Sequence, residues 1–117
     1  MANLILIKKK LKKFDKKISV SGDKSISIRW VLFASLASGL SKAENLLISE
    51  DVLAAINAVR KFGIKVIIKE KSCKIYGNGV DGFKYKKNLV LNAKNSGTLG
   101  RLILGFLVNT TEPIKII

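Results

Sequence analysis

The stretch from Ser25 to Leu40 constrains the fold more than any other. Ile26, Ile28, Trp30, Val31, Leu32, Phe33 and Leu36 put apolar side chains around most of the circumference of a predicted helix, the mark of a helix enclosed on all sides. Such a helix needs sheet and further helices wrapped about it, and the order of the flanking segments supplies both.

Upstream, Asn3–Ile7 and Lys17–Val20 read as short strands, and the second leads through Ser21-Gly22-Asp23 into the helix. Gly39 is a plausible stop for that helix, and Ala43–Ile48 reads as a strand. Ser49 has the chemistry of an N-cap, with Glu50 and Asp51 in the first turn, where acids are favoured. The second helix carries Val52, Ile56 and Val59 on one stripe and closes at Gly63. Ile64–Lys69 alternates as a half-buried strand should. Glu70–Ser72 supplies a turn into a further strand at Lys74–Tyr76, and Gly77-Asn78-Gly79 with Asp81-Gly82 marks a surface loop. The pattern then restarts. Leu89–Asn92 is a strand, Lys94–Thr98 a polar turn, Leu99–Val108 an apolar helix and Ile114–Ile117 another strand. ISVSGDKSIS and LVLNAKNSGT echo each other: strand, polar turn containing Lys, helix N-terminus. The fold class expected is mixed α/β (α+β), one βαβαββ unit over 17–87 and the start of a second over 88–117, behind a strand segment at 1–16.

The 117 residues make one ordinary domain, 48% hydrophobic, which excludes a disordered chain. No apolar run is longer than Trp30–Ala34, which is far too short to span a bilayer. With no leader pattern, the chain is expected in the cytoplasm, with no membrane partner. No His occurs and Cys73 is the one cysteine, so neither a metal cluster nor an internal disulfide is expected, nor any cofactor. Cys73 reads as a small buried hydrophobe in the strand-like Ser72–Tyr76. The net charge of +14 attracts anions of any kind, from nucleic acid to a phosphorylated metabolite. The run KKKLKKFDKK at 8–17 is either a polybasic patch or a solvated face around Leu11 and Phe14.

Arginine is the scarcer signal, present only at Arg29, Arg60 and Arg101 among 22 basic residues. Arg60 suits the end of a helix. Lys24 and Arg29 sit instead near a helix N-terminus, where the peptide dipoles disfavour each cation by about 0.3–1 kcal/mol. An anion bound there removes the conflict, because free amides at a helix start attract it and Lys24, Ser25 and Arg29 add a point charge, a hydroxyl and a planar fork. Gly22 lets backbone approach closely. KNSGTLGR at 94–101 repeats the recipe with Asn95, Ser96, Gly97, Thr98 and Arg101. Ser25 serves equally as a plain N-cap, Asn95 or Thr98 as caps on the later helix, and Gly97 as a turn residue. Neither turn fits the phosphate loop GxxxxGK[ST]. Spacing alone reaches phosphate binding and no further.

SGDKSISIR resembles the PGDKSISHR signature of the 5-enolpyruvylshikimate-3-phosphate synthases (3-phosphoshikimate 1-carboxyvinyltransferases), and KNSGTLGR resembles that family's GN[SA]GT..R. The intervening SEDVLAAINAVRKFGIKV is similar to the family's strand–helix–strand, and the likeness runs from about Lys17 onward. The resemblance implies a shikimate-pathway transferase acting on shikimate 3-phosphate and phosphoenolpyruvate, with both substrates in a cleft near helix N-termini. By position, Lys24 would contact both substrates, Ser25 and Arg29 would hold shikimate 3-phosphate, and Gly97 would line the phosphoenolpyruvate pocket, where glyphosate competes in this family. Asn95, Thr98 and Arg101, with Asp51, form a second tier. The family's proton-transferring acid and base lie later in the chain, so none of the catalytic groups falls within these residues, and the chain is expected to be inactive alone.

Three departures stand out: Ser21 for Pro, Ile28 for His and Lys94 for Gly. The end, IKII, breaks off in mid-strand, as in a truncated reading frame, and its edge at Ile114–Ile117 offers a route to self-association. Two other readings remain. A UDP-N-acetylglucosamine enolpyruvyl transferase-like chain would share the fold, but its signature runs more like SGAKNAAL. A basic nucleic-acid-binding module would interleave aromatics with its lysines, and within the run KKKLKKFDKK only Phe14 does so.

Overall fold

A computed structural model describes residues 4–10, 13 and 15–117. Its elements run α1 (Lys24–Leu36), β1 (Ser38–Ala43), α2 (Glu50–Lys61), β2 (Lys65–Lys69), β3 (Ser72–Asn78), β4 (Leu89–Leu91), α3 (Gly97–Phe106) and β5 (Ile114–Ile116). This is the mixed α/β fold expected. β3 is the centre of an antiparallel sheet ordered β1-β3-β2, and β4 pairs with β5 in parallel. Along β3 the inward positions are Cys73, Ile75 and Gly77, the period-two alternation of a strand with one face on a core. That core joins Ile28, Val31 and Leu32 of α1 to Val52, Ile56 and Val59 of α2, all buried. The stripe read on α2 is therefore its packing face. Leu91, Leu99 and Ile103 extend the core under α3. Phe62 stacks on Phe83 at 4.8 Å between ring centroids and meets Tyr85 edge-on at 5.7 Å, which ties the loop after β3 to the end of α2.

Where local chemistry decides, expectation and structure agree closely. Ser49 caps α2, its hydroxyl accepting from the Val52 amide, and Gly63, at φ +81°, lies just beyond the helix end. Where pairing decides, they differ. Leu4–Ile7 and Lys17–Val20 form no strand and are exposed; apolar content gives a segment strand character, but a strand needs a ladder partner, and none among the described residues pairs with them. Asn3, Leu11 and Phe14 lie outside the described residues. The first unit is therefore αβαββ among the described residues. α1 ends at Leu36, not Leu40, because Ser38 onward pairs with β3 in the register Ser38↔Asn78 to Ala43↔Cys73. Gly39, at φ +96°, sits within β1 and caps nothing. The strand expected at Ala43–Ile48 lies five residues earlier, and Leu46 instead turns inward, its amide donating to the Lys71 carbonyl. α1 is also not enclosed all round: Ile26 and Phe33 are about two-thirds exposed, and Phe33 touches Phe106 of α3 edge-on.

All three helices point the same way. Ser27, in the first turns of α1, accepts from the Leu47 amide beside the start of β3, while the Ala37 carbonyl past α1 accepts from Gly79 just beyond the end of β3. α1 thus runs parallel to β3. α2 folds back through a short turn into β2, which is antiparallel to β3, so α2 also runs with α1. Lys61 at the end of α2 donates to the Val90 carbonyl in β4, and β4 leads back to the start of α3. The three helix N-termini lie at one end of the molecule.

Candidate anion-binding site

At the start of α1 the cap is Asp23, not Ser25: its carboxylate accepts from the Ile26 amide at 2.7 Å. Asp and Ser rank alike as caps, and the residue two positions earlier wins because Lys24 is already helical. Ser25 is left half-buried with its hydroxyl uncommitted to capping. The turn is seated by backbone contact. A Cβ on Gly22 would come within 2.5 Å of the Asn45 carbonyl oxygen and 2.7 Å of the Leu47 nitrogen, so the close approach that Gly22 permits is made by the chain's own 45–47 segment. Asn45 completes the seat, donating from Nδ2 to the Val20 carbonyl at 2.7 Å. Neither Ser27 nor Asn45 carries a sequence signal for this role, since both bonds span at least 20 residues.

Lys24 Nζ lies 2.9 Å from Asp51 Oδ2, and the Asp51 side chain is only 14% exposed. The structure thus brings together one first-tier and one second-tier residue at the adjoining starts of α1 and α2. Arg29, a turn further along α1, is exposed.

At α3 the cap is Ser96, buried, its hydroxyl accepting from the Leu99 amide at 3.1 Å; Asn95 and Thr98 are not caps. Asn95 is exposed and Thr98 half-buried. Arg101 folds back over its own helix start, with Nη2 3.9 Å from where a Cβ on Gly97 would stand, and nothing else occupies that space. Lys94, the departure from glycine, is held at φ +54° with its amide bonded to Asn92 Oδ1. No hydrogen bond or ion pair among the described residues joins 21–29 directly to 94–101.

The three starts share one arrangement. Each cap satisfies the amide three residues on, and the amides of Lys24, Ser25, Glu50, Asp51, Gly97 and Thr98 make no hydrogen bond among the described residues. Each helix start also carries about half a positive charge. The end of the molecule holding Lys24, Arg29 and Arg101 can therefore receive anionic groups. Among the described residues no three His, Cys, Asp or Glu side chains gather to hold one, and no helix is long and apolar enough to cross a membrane. Away from this end, Arg60 donates to the Val66 carbonyl at 3.0 Å, the structural role its position suggests. Cys73 is buried, and burial pushes its thiol pKa up, with Arg60 pulling weakly the other way.

The family model for EPSP synthase (3-phosphoshikimate 1-carboxyvinyltransferase) matches residues 8–116. A 3-phosphoshikimate 1-carboxyvinyltransferase of Bacillus cytotoxicus is 45% identical over 92 residues, which are 79% of this chain and 22% of that protein. One from a Sulfurihydrogenibium species is 42% identical over 99 residues, 85% of this chain and 23% of its own length. Among solved structures, EPSP synthase from Acinetobacter baumannii superposes with a TM-score of 0.75 at 33% identity, covering 86% of this chain and 23% of that one. The chain spans between a fifth and a quarter of the length of these relatives. On the strength of the family match across nearly its whole length, the chain belongs to the EPSP synthase family.

Proposed function

We propose that this chain is a substrate-binding portion of an enzyme that moves the carboxyvinyl group of phosphoenolpyruvate to the 5-hydroxyl of shikimate 3-phosphate. The observation that carries the reading is the gathering of three helix starts and of Lys24, Arg29 and Arg101 at one end. Both substrates are anionic, and bringing them together is opposed by Coulomb repulsion unless cations and amide dipoles offset it. In this reading Lys24 reaches both substrates, Ser25 and Arg29 hold shikimate 3-phosphate, and the open face of Gly97 lines the phosphoenolpyruvate pocket. Asn95, Thr98 and Arg101 support that pocket, and Asp51 acts through Lys24. The new ether bond joins the 5-oxygen to the enolpyruvyl carbon as phosphate leaves. An acid must protonate the methylene carbon and a base must take the hydroxyl proton. Asp23 and Asp51 are spoken for as cap and counter-ion, so the chain binds without turning over. It works in the cytoplasm, and the open edge of the two-stranded β4–β5 sheet gives it a route to self-association.

Amide NMR of the chain with shikimate 3-phosphate tests this. Shifts at both Lys24–Arg29 and Asn95–Arg101 are expected. Absence of shifts at both turns, or steady phosphate release by the chain alone, would refute it.

A further inference from the structure

The cations at the α1 start raise a question of charge balance. Asp51 answers it: a carboxylate, largely shielded, stands 2.9 Å from Lys24 Nζ at the meeting of two helix starts, where an incoming carboxylate or phosphate would itself be drawn. It is one of only two ion pairs among the described residues; the other, Lys87 with Glu112, spans 3.9 Å and is far more exposed. In a chain of net charge +14, most lysines make no such pair, so the pairing of Lys24 reflects local placement. Asp51 is fixed by the first turn of α2, whose cap Ser49 and buried Val52 flank it, while Lys24 is half exposed and free to swing.

We propose that Asp51 is an internal counter-ion that any ligand of Lys24 must displace, a carboxylate that limits how tightly this helix start holds an anion. A monoanion competes with the carboxylate on equal terms and is repelled by it. A phosphate dianion is drawn more strongly by Lys24 and by the unpaired amides of Lys24 and Ser25, and is repelled about twice as strongly by Asp51. The carboxylate thereby lowers the affinity of this helix start for every anion, and for a dianion most. This inference rests on the anion-binding reading of the two turns.

The test titrates the 117-residue chain with inorganic phosphate and, separately, with acetate, following the amide shifts of Lys24 and Ser25. Asp51→Asn is expected to bind phosphate about two- to fivefold more tightly, the scale of a partly exposed ion pair, and to gain less for acetate, so that the phosphate-to-acetate preference rises. Asp51→Glu restores the wild-type preference. Lys24→Gln weakens phosphate in either background. Asp51→Ser serves as a second neutral variant should the Asn form fail to fold. Wild-type binding with an unchanged or weakened Asn variant, or an unchanged preference, overturns the role of Asp51. Absence of phosphate binding in wild type and every variant overturns the anion-binding reading itself.

Discussion

Replacing Gly22 by Ala tests whether the α1 start is positioned by the close backbone contact described above. The added Cβ would lie 2.5 Å from the Asn45 oxygen, 2.7 Å from the Leu47 nitrogen and 3.3 Å from the Leu46 carbonyl carbon. All three are backbone atoms, so no side chain can rotate away. Relief requires the 21–23 turn and the 45–47 segment to part. That movement strains two hydrogen bonds, Asn45 Nδ2 to the Val20 carbonyl and the Leu47 amide to Ser27 Oγ, each worth about 1 kcal/mol. Overpacking adds about 1–3 kcal/mol. Since parting the segments relieves the clash as it breaks the bonds, the expected loss is about 2–4 kcal/mol. Urea unfolding followed by Trp30 fluorescence and by circular dichroism measures it, and the midpoint should fall by about 1–3 M. A loss under about 0.5 kcal/mol, the level of an ordinary surface change, would show that the turn shifts freely and that this contact does not fix Lys24.

Other outcomes follow from the same structure. Lys94→Gly should stabilise the chain by about 0.5–1 kcal/mol, because a left-handed backbone that strains lysine suits glycine; a loss of stability would show that the Asn92 bond already compensates. Gly77→Ala should destabilise strongly, since its Cβ would overlap the Ala34 and Ala37 carbonyls, and wild-type melting would refute the close seating of β3 on α1. Burial raises the Cys73 pKa above its usual 9.0, so its neutral thiol supports folding fully below pH 9.0 and that support fades as pH rises through the folded value. Cys73→Ala should flatten this alkaline decline, and an unchanged pH profile of urea midpoints would count against it.

What could be read from the sequence was what neighbours in the chain decide. Ser49, the two acids after it and the Val52–Ile56–Val59 stripe place α2 correctly because capping and amphipathicity act within a few residues. The two polar turns that open α1 and α3 were legible for the same reason. β1 was not. Its residues Ser38–Ala43 are mostly exposed and weakly apolar, and only the ladder to β3, some thirty residues on, makes them a strand. The apolar Leu46–Ile48 looked the better strand and instead supplies one buried side chain and the seat for Gly22. The Asp23 cap was lost to a choice between two good cappers two residues apart, and the Lys24–Asp51 pair to the distance between two helix starts that sequence alone does not bring together.

Aligning three helices leaves their positive poles side by side, with Lys24, Arg29 and Arg101 added to that end. Such an assembly carries mutual repulsion that side-chain packing must overcome and that a bound anion would remove. Stability and occupancy are then linked: a ligand that holds the folded form alone strengthens it by RT ln(1 + [L]/Kd). The melting temperature of this chain should therefore depend on which anion is dissolved with it, rising in phosphate over chloride at equal ionic strength. In a fold of this kind, an anion held at that end would also be part of what holds the protein together.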